Sequence, residues 1–126
     1  MYAHRSVQIP ILKQGNVLIA TMQAALADVD LLQLQTAVVE QVVRRRCRGV
    51  IVDVTSMDVM DSFASRVLQE IAHMIRLRGA ETVIVGIQPD VAFSMVQLGL
   101  GLEDVATALD LEEGMAYLNR KFKTSP

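Results

Sequence analysis

The chain has 126 residues, 52% of them hydrophobic, and twelve Lys and Arg stand against fourteen Asp and Glu for a formal net charge of -2. This size and apolar content suit one packed domain over residues 1–126, and the charge supplies no global drive toward nucleic acid or an anionic membrane. The single cysteine, Cys47, excludes an intramolecular disulfide; no apolar run reaches the roughly 18–20 residues of a bilayer span; and the N-terminus lacks a signal-peptide pattern. The expectation is a cytoplasmic chain with neither a nucleic-acid nor a membrane partner.

Val7 to Leu12 and Val17 to Met22 are apolar runs joined by Lys13-Gln14-Gly15-Asn16, a spacing short enough for an antiparallel hairpin. From Asp30 to about Arg45 the period becomes helical through Leu31, Leu34, Val38 and Val42, with Asp30 three residues before Gln33 in a capping-box spacing. Gly49 breaks the basic segment, and Val50 to Val54 reads as a strand buried on both faces. A second helix spans Ser62 to Leu77 and stops at Gly79, and Thr82 to Ile87 forms another buried strand. Pro89 opens a third helix that Gly99 and Gly101 end, Val105 to Leu109 supplies a short strand, and Asp110 with Glu113 caps a last helix to about Lys121. Lys123 to Pro126 reads as a frayed tail. The order ββαβαβαβα specifies an α/β fold: a mixed sheet of about five strands, antiparallel at the N-terminal hairpin and mostly parallel thereafter, flanked by about four helices.

The segment Asp53 to Ile71, DVTSMDVMDSFASRVLQEI, carries the functional signal. It sets Asp61 and Ser62 where an apolar strand and its loop give way to an amphipathic helix. Ala64, Val67, Leu68, Ile71 and Ile75 share one face of that helix, and Ser62, Arg66, Gln69, His73 and Arg76 run along the other. The plainer role for Ser62 or Asp61 is an N-cap. A serine hydroxyl at this place is also a site for phosphorylation, because the amides and dipole of the helix N-terminus accommodate a dianion. Phosphate there stands beside Asp61 and near Asp58, so the carboxylates repel it while the helix end attracts it; the expectation is that the fold survives and the local surface potential inverts. Met57 and Met60, in the preceding loop, read either as partner contacts or as cover for the core.

Other chemistry has little support. His4 and His73 share no ligand spacing with Cys47, and neither GxxxxGK[ST] nor GxGxxG occurs, so no metal or other cofactor is expected. The carboxylates have no nucleophile or histidine at a meaningful spacing, which argues against an enzyme. Arg44, Arg45, Arg46 and Arg48 suit the C-terminal end of a helix dipole, with a nucleotide or lipid headgroup as the alternative use of the cluster.

Several segments together resemble the STAS domain family, named for sulfate transporters and anti-sigma factor antagonists. They are Ile9-Pro10-Ile11-Leu12-Lys13, Asp61-Ser62-Phe63 with Arg66-Val67-Leu68, Gly86-Ile87-Gln88-Pro89, Leu98-Gly99, and Thr107-Ala108-Leu109-Asp110-Leu111. The likeness covers nearly the whole chain and is greatest to the minimal scaffold subunit of the stressosome. It implies a non-enzymatic scaffold in a large hetero-oligomer with RsbR-like STAS paralogs. Such a scaffold captures an RsbT-like serine/threonine kinase and releases it when Ser62 is phosphorylated, and a phosphatase resets it. Met57, Asp58, Met60, Asp61, Phe63 and Arg66 are then the partner-binding residues, and Ser94 aligns near a second acceptor of the sensor-bearing paralogs. Those paralogs carry an N-terminal sensor domain, for which a first strand within about ten residues of Met1 leaves no room. Simple anti-sigma factor antagonists, the alternative within the family, place small residues such as Ser-Gly after the acceptor, whereas Phe63 and Ala64 follow Ser62 here.

Overall fold

The computed structural model describes residues 9–24 and 26–124. Its elements are β1 (Ile11–Gln14), β2 (Val17–Thr21), α1 (Asp28–Arg45), β3 (Gly49–Asp53), α2 (Ser62–Leu77), β4 (Glu81–Val85), α3 (Pro89–Gln97), β5 (Ala106–Ala108) and α4 (Leu111–Thr124). Val7 and Gln8 of the expected first strand lie outside the described residues, as do His4 and the last two tail residues. The strand instead extends through Lys13 and Gln14, leaving Gly15 and Asn16 as a two-residue turn between the paired Gln14 and Val17. Gly15 adopts φ 62, the left-handed conformation that tight hairpin turns of this length require.

The five strands lie in sequence order, β1-β2-β3-β4-β5; β1 is antiparallel to β2 and every later pair is parallel. Three successive parallel crossovers therefore step in one direction across the sheet. A common crossover hand places their helices on one face. The cores agree: Leu18, Ala20, Val50, Val52 and Ile84 point toward α1, α2 and α3, where they meet Leu34, Val38, Leu68, Ile71, Val91 and Met95. The alternate residues Val17, Ile19, Ile51, Val83 and Val85 face the other way and pack with Leu118 of α4. Each such large apolar side chain contributes about 1.5–3 kcal/mol relative to exposure.

Close contact seats α4 on the sheet. A Cβ on Gly114 would meet Cγ1 of Val85 at 2.7 Å, and one on Gly49 would meet Cδ1 of Leu118 at 2.9 Å. The C-terminal half is anchored by the Arg48 guanidinium over the Phe122 ring at 4.7 Å and by the Tyr117 hydroxyl, which donates to Glu81 at 3.3 Å. The helix continues through Lys123 to Thr124, so that part of the expected frayed tail is ordered helix. Its start is as read from sequence: Asp110 Oδ1 accepts from the Glu113 amide at 2.9 Å.

The α1 start differs from expectation. The helix begins at Asp28 after Ala27, and Asp30 is its third residue, with Oδ2 accepting from the Ala27 amide at 2.9 Å. Asp30 thus supplies the reaching-back half of a capping box and is not the cap residue itself.

Candidate functional site

Each parallel strand hands over to a helix at its C-terminal end, so one edge of the sheet gathers the loops that can be varied without disturbing the core. The longest described β-to-α connection there joins β3 to α2 over residues 54–61. The carboxylate of Asp53 opens it, with Oδ1 accepting from the Thr55 amide at 2.9 Å and the Thr55 hydroxyl at 2.6 Å. A turn follows in which the Met57 amide donates to the Val54 carbonyl at 3.0 Å. The neighbouring β4–α3 connection braces it, since the Gln88 side-chain amide donates to the Thr55 carbonyl. Gly86 makes that approach possible: it has φ 84, and a Cβ on it would lie 2.0 Å from the Thr55 hydroxyl.

Asp61 is the N-cap of α2, with extended backbone and Oδ1 accepting from the Ala64 amide at 2.8 Å. Ser62 is therefore the first helical residue, and its side chain is exposed. The two roles left open by the sequence are divided: Asp61 caps the helix, and the Ser62 hydroxyl has no part in the cap. A phosphate on Ser62 would sit over first-turn amides that have no intrahelical acceptor. Arg66, four residues on and exposed, lies on the same helix face within the span over which i,i+4 charge pairs form.

The other expected contact residues separate into two layers. Asp58 and Asp61 are exposed and Phe63 is half-buried against the core. Met57 and Met60, at 5% and 4% exposure, belong to the core on the α1–α3 face. Their side chains are thus not presented to a partner in this structure, which corrects the contact reading. The apolar side chain on the outer layer is Val59, at 69% exposure, which sequence reasoning passed over. Ser94 is exposed in α3 beside exposed Phe93, and the two acceptor candidates are on different helices.

The strand-end edge is acidic. Asp53, Asp58, Asp61, Asp90, Asp110, Glu112 and Glu113 all occur at strand C-termini or in the loops and first turns that follow. The arginine cluster is at the opposite edge, where α1 ends and β3 begins, and Arg46 there takes φ 52. Ser62 thus lies at the negative pole, so phosphorylation would deepen an existing negative charge and not invert the local potential as the sequence reading expects.

The polar stripe of α2 has a structural consequence. Arg66, Gln69, His73 and Arg76 line a cavity of about 600 Å³ together with Gln35 of α1 and Asp104 in the α3–β5 connection. Two of these side chains hold that connection in place, Gln69 donating to the Gly101 carbonyl at 2.9 Å and Arg76 to the Asp104 carbonyl at 2.6 Å. Among the described residues no helix is long and apolar enough to cross a membrane.

Residues 8–114 match the STAS domain family, and the chain belongs to it. The fold is similar to that of a solved serine-to-glutamate variant of RsbS from Moorella thermoacetica. That likeness has 30% identity and a TM-score of 0.81, and it covers 94% of this chain and all of the other. A chain from a solved stressosome, described as a signal integration and transduction hub, matches with 28% identity and a TM-score of 0.73 over 91% of this chain and all of that one. The Bacillus subtilis RsbT co-antagonist protein RsbRA is 32% identical over 74 residues, 59% of this chain but only 27% of RsbRA.

Proposed function

We propose that this chain is a non-catalytic stressosome scaffold whose β3–α2 loop and α2 start hold a serine/threonine kinase of the RsbT kind and release it when Ser62 is phosphorylated. The observation that carries the proposal is the division of labour at the α2 N-terminus. Because Asp61 performs the capping, Ser62 is exposed and its modification need not cost the helix its cap. The added charge of about -1.5 to -2 then acts at the docking surface and leaves the core intact. The likeness to RsbS and to a stressosome chain supports a scaffold role, and the likeness to RsbRA supports co-assembly with sensor-bearing paralogs. Asp58, Val59 and Arg66, exposed on either side of Ser62 in sequence, supply the kinase contacts with half-buried Phe63, and a phosphatase restores the capturing state.

The experiment is a tagged pull-down from the native host, with mass spectrometry identifying co-purifying proteins and the modification state of Ser62. Recovery of sensor-bearing STAS paralogs and a small kinase is the expected result. Recovery of an anti-sigma factor alone would instead make the chain a simple antagonist using the same serine. A Ser62 that is never modified under any stress would remove the switch altogether.

A further inference from the structure

The cavity beside α2, about 600 Å³, falls within the size range of small-ligand sites. Part of its lining serves the fold. Gln69 and Arg76 hold the α3–β5 connection through the Gly101 and Asp104 carbonyls, and Glu70 accepts from the Gln35 side-chain amide at 3.2 Å. Four other lining residues are exposed and charged or ionisable: Arg66 and His73 from α2, Glu103 and Asp104 from the connection. Among the described residues none of these four side chains makes a hydrogen bond or an ion pair. Groups of opposite sign thus line one cleft without joining each other.

The backbone adds a second observation. Asp104 takes φ 66, a left-handed conformation that disfavours residues other than glycine, though aspartate tolerates it better than most. Arg76 secures it there by donating to the Asp104 carbonyl at 2.6 Å. A guanidinium has five N–H donors, so Arg76 keeps others for a ligand. His73 is three residues before Arg76, and side chains at that spacing are neighbours on a helix surface, with about 5–6 Å between Cβ atoms. A carboxylate fits the His73 ring N–H and the remaining Arg76 donors, and an ammonium fits the adjoining Glu103 and Asp104 carboxylates. Two demands of opposite sign, side by side, describe the headgroup of an α-amino acid. Ala72, Met74 and Val105 supply apolar lining for its carbon chain. Arg66, seven residues before His73 and about 10 Å along the axis, makes the far end of the cleft positive.

We propose that the α2 cleft binds a zwitterionic amino acid with an acidic side chain. Its α-carboxylate is held by His73 and Arg76, its ammonium by Glu103 and Asp104, and its side chain runs toward Arg66. The site stands on the cleft alone and is independent of whether Ser62 is ever phosphorylated.

The test is a titration of the isotope-labelled full chain with L-glutamate, followed by amide chemical shifts. Saturable shifts confined to residues 66–76 and 101–105 are expected, with a Kd of about 1 mM or tighter. N-acetyl-L-glutamate, which lacks the ammonium, and L-lysine, whose side chain has the wrong sign for Arg66, should each bind at least about tenfold more weakly. The variants His73→Ala and Glu103→Gln/Asp104→Asn should lose at least about tenfold in affinity for L-glutamate, and asparagine preserves tolerance of the left-handed backbone at 104. Circular dichroism establishes that each folds; where one does not, the comparison of the three probes on wild type decides. No saturable shift, shifts centred outside the cleft, equal binding of the acetylated or lysine probe, or folded variants that bind as tightly as wild type would each overturn the proposal.

Discussion

The two faces of the sheet solve the same burial problem with different means. Three crossover helices cover one face and enclose a core from Leu18 through Met95, and the loop before Ser62 rests on that core through Met57 and Met60. Among the described residues one helix covers the other face, held by Leu118, two close glycine contacts and the Arg48–Phe122 stacking. The difference follows from strand order: crossovers that always step the same way keep their helices on one side, and among the described residues it is the segment after the last strand that returns across the other. The three-helix face supplies a packed base for the loop that leads to Ser62.

Core truncations give the largest test of this contrast. Ile71→Ala and Leu118→Ala each remove a side chain with 0% exposure, and each should lose about 2–5 kcal/mol in urea unfolding. Hydrogen exchange should separate them. Leu118→Ala is expected to expose α4 amides selectively, whereas Ile71→Ala should lower protection across the sheet and α2. A uniform loss in both variants would mean that the two faces are one cooperative unit.

Gly86→Ala comes next. It places a Cβ against Thr55 at φ 84, and left-handed backbone alone disfavours a non-glycine residue by about 1–2 kcal/mol. The expected outcome is a comparable loss in thermal unfolding together with NMR shifts concentrated in residues 54–62. Wild-type spectra for that loop would contradict the bracing role of Gly86.

A smaller effect distinguishes cap from switch. Asp61→Ala should lose about 0.5–2 kcal/mol, and Ser62→Ala should lie within about 0.5 kcal/mol of wild type, both by urea titration. Equal losses would mean that Ser62 has a structural duty and that the division at the α2 N-terminus is wrong.

The smallest expected effect concerns Cys47. Burial pushes its thiol above the ordinary range, with Lys13 and Arg45 offsetting part of the rise, so little thiolate is present near neutral pH. Native alkylation should therefore be slow, rising with pH as the thiol ionises and rising sharply on unfolding. Fast labelling of the folded chain near neutral pH would contradict this.

Much of the fold was legible because its signals are local. The second helix was bounded correctly at Ser62 and Leu77, since Asp61 precedes a long 3.6-residue apolar period and Gly79 follows it. The first helix was not, because Ala27 carries no capping side chain and Asp30 reaches back from inside the helix. The loop before Ser62 resisted for another reason. Irregular backbone has no period from which to infer direction, so nothing in Met57-Asp58-Val59-Met60 indicates that the methionines turn inward and the valine outward. Charge polarity was invisible for a related reason: the acidic residues are dispersed along the chain and meet only when every strand ends at one edge.

The most direct measurement of the central account is kinase retention on immobilised scaffold before and after ATP, with wild type, Ser62→Ala and Ser62→Asp compared side by side. The account predicts that wild type releases the kinase as Ser62 becomes phosphorylated, that the alanine variant retains it, and that the aspartate variant captures it weakly from the outset. The same kinase retention for all three, with or without ATP, would contradict it.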